Sequence, residues 1–200
     1  MYYLTKIDLK SSKRVDYKRE DNFMYILHGI IYRAFNEKED KKLFSYLEKR
    51  SEIYIFSEKI PNKEHLIKEF KIDNESINIY KYDKVIENLY NGKEFEYGIL
   101  FNPSKQDFKH NGRGSVRALI KDEEQEEWLK RKSEELGFKV LSYEKEYHRY
   151  YKCKNDIGKL GVRSTGRLKI TNSEKFKQCL INGIGRCKSF GFGLLLVNEI

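Results

Sequence analysis

Little in this chain of 200 residues interrupts or staples a fold: it has 2 prolines, 3 cysteines and a single tryptophan. The cysteines, Cys153, Cys179 and Cys187, are odd in number and lack CxxC spacing. That argues against both a disulfide scaffold and a zinc site. No run approaches the roughly 20 apolar residues that cross a bilayer. The start, MYYLTKIDLK, has no basic region followed by an apolar stretch and a small-residue cleavage site, so no secretory signal is expected. A reducing, cytoplasmic setting is the expectation. No GxxxxGK[ST] loop for a nucleoside triphosphate is present.

What is present is charge and aromatic bulk. Charged residues make up 36% of the chain, with a net +9. The surplus is not spread evenly. Between Arg149 and Phe190 stand eleven basic residues and only two acids, Asp156 and Glu174, so this stretch accounts for the whole excess. A polyanion is the simplest partner for such a region. The 12 Phe and 15 Tyr supply core for a chain that should bury roughly 70% of its unfolded surface.

The hydrophobic periodicity predicts a strand over 2–9 and then a helix. Asp21 or Asn22 caps that helix, whose apolar residues run from Phe23 through Met24, Leu27, Ile30 and Ile31 to Phe35. Asn36 and Glu37 mark its exit. Strands are expected over 42–48, 52–58 and 76–82, with a short helix within 63–71. A β-α-β-β order of this kind opens a ferredoxin-like unit. A second unit is expected from about residue 88: a strand over 94–101 ended by Asn102-Pro103, a flexible loop over 104–115, and a helix capped by Asp122 with Gln125 in the reciprocal position. Strands over 138–153 and 162–170 follow, joined by a turn at 155–158. A helix from Ser173 and a terminal strand over 193–197 complete it. The fold class is α+β, with domains at 1–87 and 88–200. No repeat is visible in the sequence itself. The acids around Glu123, Glu124, Glu126 and Glu127 suit a helix N-terminal half rather than a metal centre.

Two local features point to chemistry. The ending Gly183-Ile184-Gly185-Arg186-Cys187-Lys188-Ser189-Phe190-Gly191-Phe192-Gly193 brackets a basic segment with two GxG pairs. Backbone N–H groups there, with Arg186 and Lys188, suit phosphate oxygens. A purely structural turn is the alternative, and Phe190 or Phe192 equally suits the core. The stretch follows a helix and precedes a strand, the wrong context for a dinucleotide fingerprint. Of the histidines His28, His65, His110 and His148, only His28 sits inside a convincing helix, with Tyr25 and Tyr32 on the same face. A histidine there suits proton transfer near neutral pH, although packing is the commoner role for such a residue.

Three segments in order, MYYLTKIDL with NFMYILHGIIYRAF, FNPSK with VRALIKDEEQEEWLKRK, and GIGRCKSFGFGLLLV, make the chain resemble the CasE family of CRISPR-associated endoribonucleases over almost its whole length. The resemblance implies tandem ferredoxin-like, RNA-recognition-like domains. It also implies binding of the repeat RNA hairpin and cleavage of precursor RNA at the base of that hairpin, with no metal and no cofactor. The mature crRNA would then be retained among the other Cascade subunits. Carried onto this sequence, it makes His28 the catalytic histidine and Tyr25 its companion. It also makes Gly183, Gly185, Gly191 and Gly193, with Arg186 and Lys188, the RNA-binding loop, and Arg113 and Arg117 the candidates for stem contact. The strand EFEYGILF lacks the arginines common in that family, which leaves Lys105 and Lys109 after the turn as its basic residues. Lys159, Arg163 and Arg167 are RNA-contact candidates on local charge. The implied chemistry is attack of a ribose 2′-OH on its own phosphate, and the alternative is a noncatalytic structural RNA-binding subunit.

Overall fold

The computed structural model describes residues 1–13, 23–35, 42–107, 115–153 and 158–200. β1 (Tyr3–Asp8), α1 (Phe23–Arg33), β2 (Lys42–Leu47), β3 (Glu52–Ser57), α2 (Lys63–Phe70) and β4 (Ile77–Lys81) come first. Their antiparallel sheet has the order β2-β3-β1-β4. A five-residue helix, α3 (Asp83–Glu87), leads on to β5 (Glu94–Phe101), β6 (Ser104–Asp107), β7 (Ser115–Ala118), α4 (Asp122–Glu135), β8 (Phe138–Lys152), β9 (Gly158–Ile170), α5 (Ser173–Asn182) and β10 (Leu195–Glu199). The second main sheet has the order β10-β5-β9-β8. With β6 and β7 set aside as an inserted pair, both sheets place their strands in the order fourth, first, third, second. The molecule is therefore a tandem ferredoxin-like α+β protein.

The first unit follows from alternation. Ile53 and Ile55 of β3 and Phe44 and Tyr46 of β2 turn toward α1 and α2, where Met24, Leu27, Ile30, Ile31, Leu66 and Phe70 complete a core. Burial of each such large side chain is worth about 1.5–3 kcal/mol. Leu4, Ser45, Leu47 and Tyr54 point the other way, to the sheet face that neither helix covers. In the second unit Phe95, Ile99, Val162 and Leu168 pack with Trp128, Leu129, Phe176 and Leu180 of α4 and α5. A third cluster, including Leu43, Phe56, Tyr82, Ile181 and Leu194, joins the halves.

Asn caps set two helices. Asn62 Oδ1 accepts from the His65 N–H and Asn172 Oδ1 from the Lys175 N–H, each at 3.0 Å. At α4 the expected capping box does not form. Asp122 is the first helical residue and pairs instead with Lys145 on β8. Gln125 is fully buried and reaches back past the helix start, but it donates from Nε2 to the carbonyls of Leu119 and Ile120 and so ties down the incoming chain without capping a helix N–H.

Two further expectations change. The ends of the supposed loop over 104–115 are paired strands, with Lys105 opposite Arg117, held by the ladder between β6 and β7. The last strand starts at Leu195 and not at residue 193. Gly193 is engaged before it, donating to the Leu100 carbonyl at 2.7 Å and accepting from the Ile184 N–H at 2.9 Å. The expected caps Asp21 and Asn22, the exit at Asn36 and Glu37, and most of the 155–158 turn lie outside the described residues, as do Lys109, His110 and Arg113. No helix among the described residues is long and apolar enough to cross a membrane.

Candidate active site at the junction of α1 and the glycine-rich turn

His28 lies on α1 between buried Leu27 and Ile30, so the core fixes its backbone. Its Nδ1 stands 2.7 Å from the Ser189 carbonyl oxygen, across 161 residues of sequence. A carbonyl only accepts, so Nδ1 carries the proton in this contact. In the neutral ring, Nε2 then holds the lone pair, and Nε2 is the nitrogen that gains and loses a proton. Two aromatic rings pack against it: Tyr32 at 4.1 Å and Phe190 at 5.2 Å between centroids. Tyr25 stacks at 6.4 Å from both His28 and Phe190 and is 44% exposed. The pair therefore combines an anchored imidazole with a tyrosine open to solvent.

Burial pushes the His28 pKa below the ordinary histidine value. The Ser189 carbonyl opposes that shift, and the positive charge of Lys42 adds to it. Lys42 begins β2 and is itself buried, its ammonium 4.6 Å from the Tyr32 ring centroid and 4.9 Å from that of Phe35. Residue spacing carries no signal for Lys42, because the contact is made between elements.

The glycine-rich turn approaches α1 because its glycines permit it. Gly191 has φ +82°, and a Cβ there would stand 2.4 Å from Met24 Cε and 2.8 Å from Phe44 Cε2. Close approach to the first core is thus what this position requires. It sets the single helical turn over Lys188–Phe190, which carries the Ser189 carbonyl to His28. The N–H groups of Gly183, Gly191 and Gly193 donate to the carbonyls of Cys179, Lys188 and Leu100. These three buried glycines therefore spend their donors inside the protein, contrary to the expectation of N–H groups open to phosphate, since the turn needs those bonds to close. Gly185, at φ +77°, lies against the Trp128 ring. Phe192 is fully buried, whereas Phe190 packs on the histidine.

The basic candidates divide into two groups. Arg186 is exposed and donates to Gln106 Oε1 at 3.4 Å, which ties the turn to β6, where exposed Lys105 faces Arg117 across the ladder. Arg117 also pairs with Asp107 at 3.6 Å. Lys159 and Arg186 both lie near the Cys187 thiol, and Lys188 follows it in the turn. Arg163 and Arg167 stand elsewhere, on the uncovered face of the second sheet. Arg163 is only 5% exposed, and Arg167 pairs with Glu94 at 2.9 Å. Strand alternation puts both on the face opposite Val162 and Leu168, away from His28. Among the described residues no group of three or more His, Cys, Asp or Glu is placed to hold a metal ion.

The fold and this junction define a class: paired ferredoxin-like units in which a glycine-rich turn of the second meets a histidine on the first helix. The chain belongs to the family of CRISPR associated proteins, whose family model matches residues 2–199. Solved structures share the fold. Thermus thermophilus Cse3, bound to an RNA representing a pre-cleavage complex, aligns with a TM-score of 0.77 at 21% identity, over 99% of each chain. Cas6e from Escherichia coli str. K-12 aligns at 0.66 and 20% identity over 100% of both. A chain of a CRISPR RNA-guided surveillance complex aligns at 0.66 and 22% identity, over 99% of this chain and 100% of that one. No curated protein matches in sequence.

Proposed function

We propose that the chain is an endoribonuclease that binds the hairpin of CRISPR repeat RNA and cuts the precursor at the base of that hairpin by attack of a ribose 2′-OH on the adjacent phosphate. The observation that carries this reading is the 2.7 Å contact between His28 Nδ1 and the Ser189 carbonyl, which leaves Nε2 as the working nitrogen. Its support includes the family match and the fold shared with Cse3 and Cas6e, the former named a CRISPR endoribonuclease in its RNA-bound form.

Burial and the charge of Lys42 favour the neutral imidazole, whose Nε2 can take the 2′-OH proton. The 2′ oxygen then bonds to phosphorus, and the bond from phosphorus to the 5′ oxygen breaks. The leaving oxygen takes a proton from Tyr25 or from solvent. The products are a 2′,3′-cyclic phosphate and a 5′-OH. The nucleophile belongs to the substrate, so the step itself calls for no metal-bound water. Arg186, Lys188 and Lys159 supply positive charge beside the turn for the phosphorane. Lys105 and Arg117 on the β6–β7 pair extend that surface toward the RNA stem, and Lys109 and Arg113 belong to the same stretch of sequence. The cut RNA stays bound, and the protein remains part of a ribonucleoprotein surveillance complex, the setting in which one similar chain occurs. The domain division at 1–87 and 88–200 belongs to this reading, with one four-stranded sheet in each part.

The test is cleavage of repeat RNA from the same locus in EDTA, with both product ends mapped. Wild type should cut one bond and leave the cyclic phosphate. His28→Ala should lose about 10²–10⁴-fold in rate, the usual contribution of a general acid or base, and keep hairpin affinity. Cleavage at a repeat whose nucleophilic 2′-OH is replaced by hydrogen would defeat the mechanism. Hairpin binding with no product from wild type would favour the noncatalytic subunit.

A further inference from the structure

The uncovered faces of the two main sheets look at each other across an open cleft of about 880 Å³. This cleft lies on the side of the first sheet opposite α1 and His28. Arg163 of β9 crosses it. The side chain is 5% exposed, and its Nη1 donates to Ser45 Oγ on β2 at 3.4 Å, its one hydrogen-bond partner among the described residues. A guanidinium has five N–H donors in a fixed fork, so most of this one's capacity is unused. Gly98 of β5 makes the space for it: a Cβ there would stand 3.1 Å from Nη2. Glycine in the middle of a strand marks a close approach, and here the approaching group is a buried cation. Charges so placed are normally matched by an acceptor.

The cleft's charge decides the kind of acceptor. Glu48, Glu96, Glu144 and Glu146 line it against Lys49, Arg50, Arg163 and Arg167, for no net charge. Nucleic-acid interfaces are strongly positive, and the positive residues grouped around the glycine-rich turn lie on the other side. Leu4, Leu47, Tyr54 and Leu196 give the cleft apolar wall. A neutral, half-apolar groove with one buried guanidinium suits a polypeptide of mixed charge.

We propose that the cleft docks a segment of a neighbouring protein subunit, anchored by an Asp or Glu carboxylate of that segment on Arg163. The inference rests on the ribonucleoprotein setting proposed above but not on RNA cleavage. The carboxylate forms a two-pronged pair with the free N–H groups of the fork, the geometry in which arginine binds carboxylates most strongly. Apolar side chains of the same segment cover Leu47 and Leu196.

The experiment mixes the full chain with the assembled protein subunits of its own complex, carried on a guide RNA trimmed of its 3′ hairpin so that protein contact is the only link. Affinity is read by titration. Wild type should associate, and Arg163→Met should weaken association at least tenfold. Thr165→Glu, which places a carboxylate beside Arg163 without emptying the core, should weaken it comparably and still cut repeat RNA within twofold of wild type. His28→Ala should associate as wild type does, so loss of cleavage and loss of docking are read separately. The proposal is overturned if wild type does not associate, or if Thr165→Glu and Arg163→Met both associate as well as wild type does. It is also overturned if Arg163→Met lowers the isolated chain's hairpin affinity tenfold, because RNA would then be the occupant.

Discussion

At the scale of one residue, His28 shows how position converts a common side chain into a reagent. Burial disfavours the imidazolium, and Lys42 opposes a second positive charge nearby. The folded protein therefore takes up this proton at lower pH than the unfolded chain does. The sign follows: the unfolded state binds more protons between the two pKa values, so stability falls as pH drops below about 6.5, the unperturbed value. The loss is complete once the pH is below the folded value. Thermal unfolding midpoints of wild type and His28→Gln should diverge in this way, with wild type losing more between neutral and mildly acidic buffer. A constant difference across that range would remove the pKa argument. The Ser189 carbonyl acts at the same scale, as the acceptor that orients the ring, a role a carboxylate fills in other acid–base sites.

Among the elements, the glycine-rich turn carries the most consequence. It is readable as a basic segment between GxG pairs, but most of its glycines serve packing. Gly191→Ala is expected to cost about 1–3 kcal/mol, the usual range for overpacking a filled core, because the new methyl meets Met24 and Phe44 and φ is +82°. Urea unfolding measures that loss. The same variant should slow cleavage, since the displaced turn carries Ser189 away from His28. An unchanged unfolding midpoint would contradict the packing account. The β6–β7 pair shows the converse limit. Its sequence is polar and lacks strong β formers at Ser104–Asp107, so turn composition predicts a loop, and only the ladder to Ser115–Ala118 shows strands. The helices α1 and α5 need no such help, because a 3.6-residue apolar spacing is carried by neighbouring residues alone.

The whole molecule separates its surfaces by charge. The basic excess of the C-terminal stretch is divided, with Arg186, Lys188 and Lys159 near the catalytic junction and Arg163 and Arg167 in a cleft of no net charge. Hairpin affinity should fall steeply with salt, as counterions displaced from the phosphates return to them. Replacing Lys159, Arg186 and Lys188 by Gln should lower the slope of log affinity against log salt by about one for each phosphate that the protein no longer neutralises. A slope unchanged in the triple variant would move the RNA to another face. At this scale the two halves also prove alike. They share strand order without any repeat visible in the sequence, since a ferredoxin-like sheet asks for a pattern of apolar positions and not for particular residues.

The sequence by itself determined the main helices and strands of both units, though not α3 or the β6–β7 pair, together with the tandem α+β architecture, the run of positive charge along the chain and the helical face shared by Tyr25, His28 and Tyr32. Each of these depends on spacing along a few turns or on composition. Only the tertiary structure decided that Ser189, 161 residues away, meets His28, that Lys42 lies buried beside Tyr32, that Gly191 packs against the first core, and that Arg163 leaves the basic surface for the cleft over Gly98. Those outcomes depend on how two sheets and one turn come together, and chain closure over such separations leaves no periodic trace among neighbouring residues.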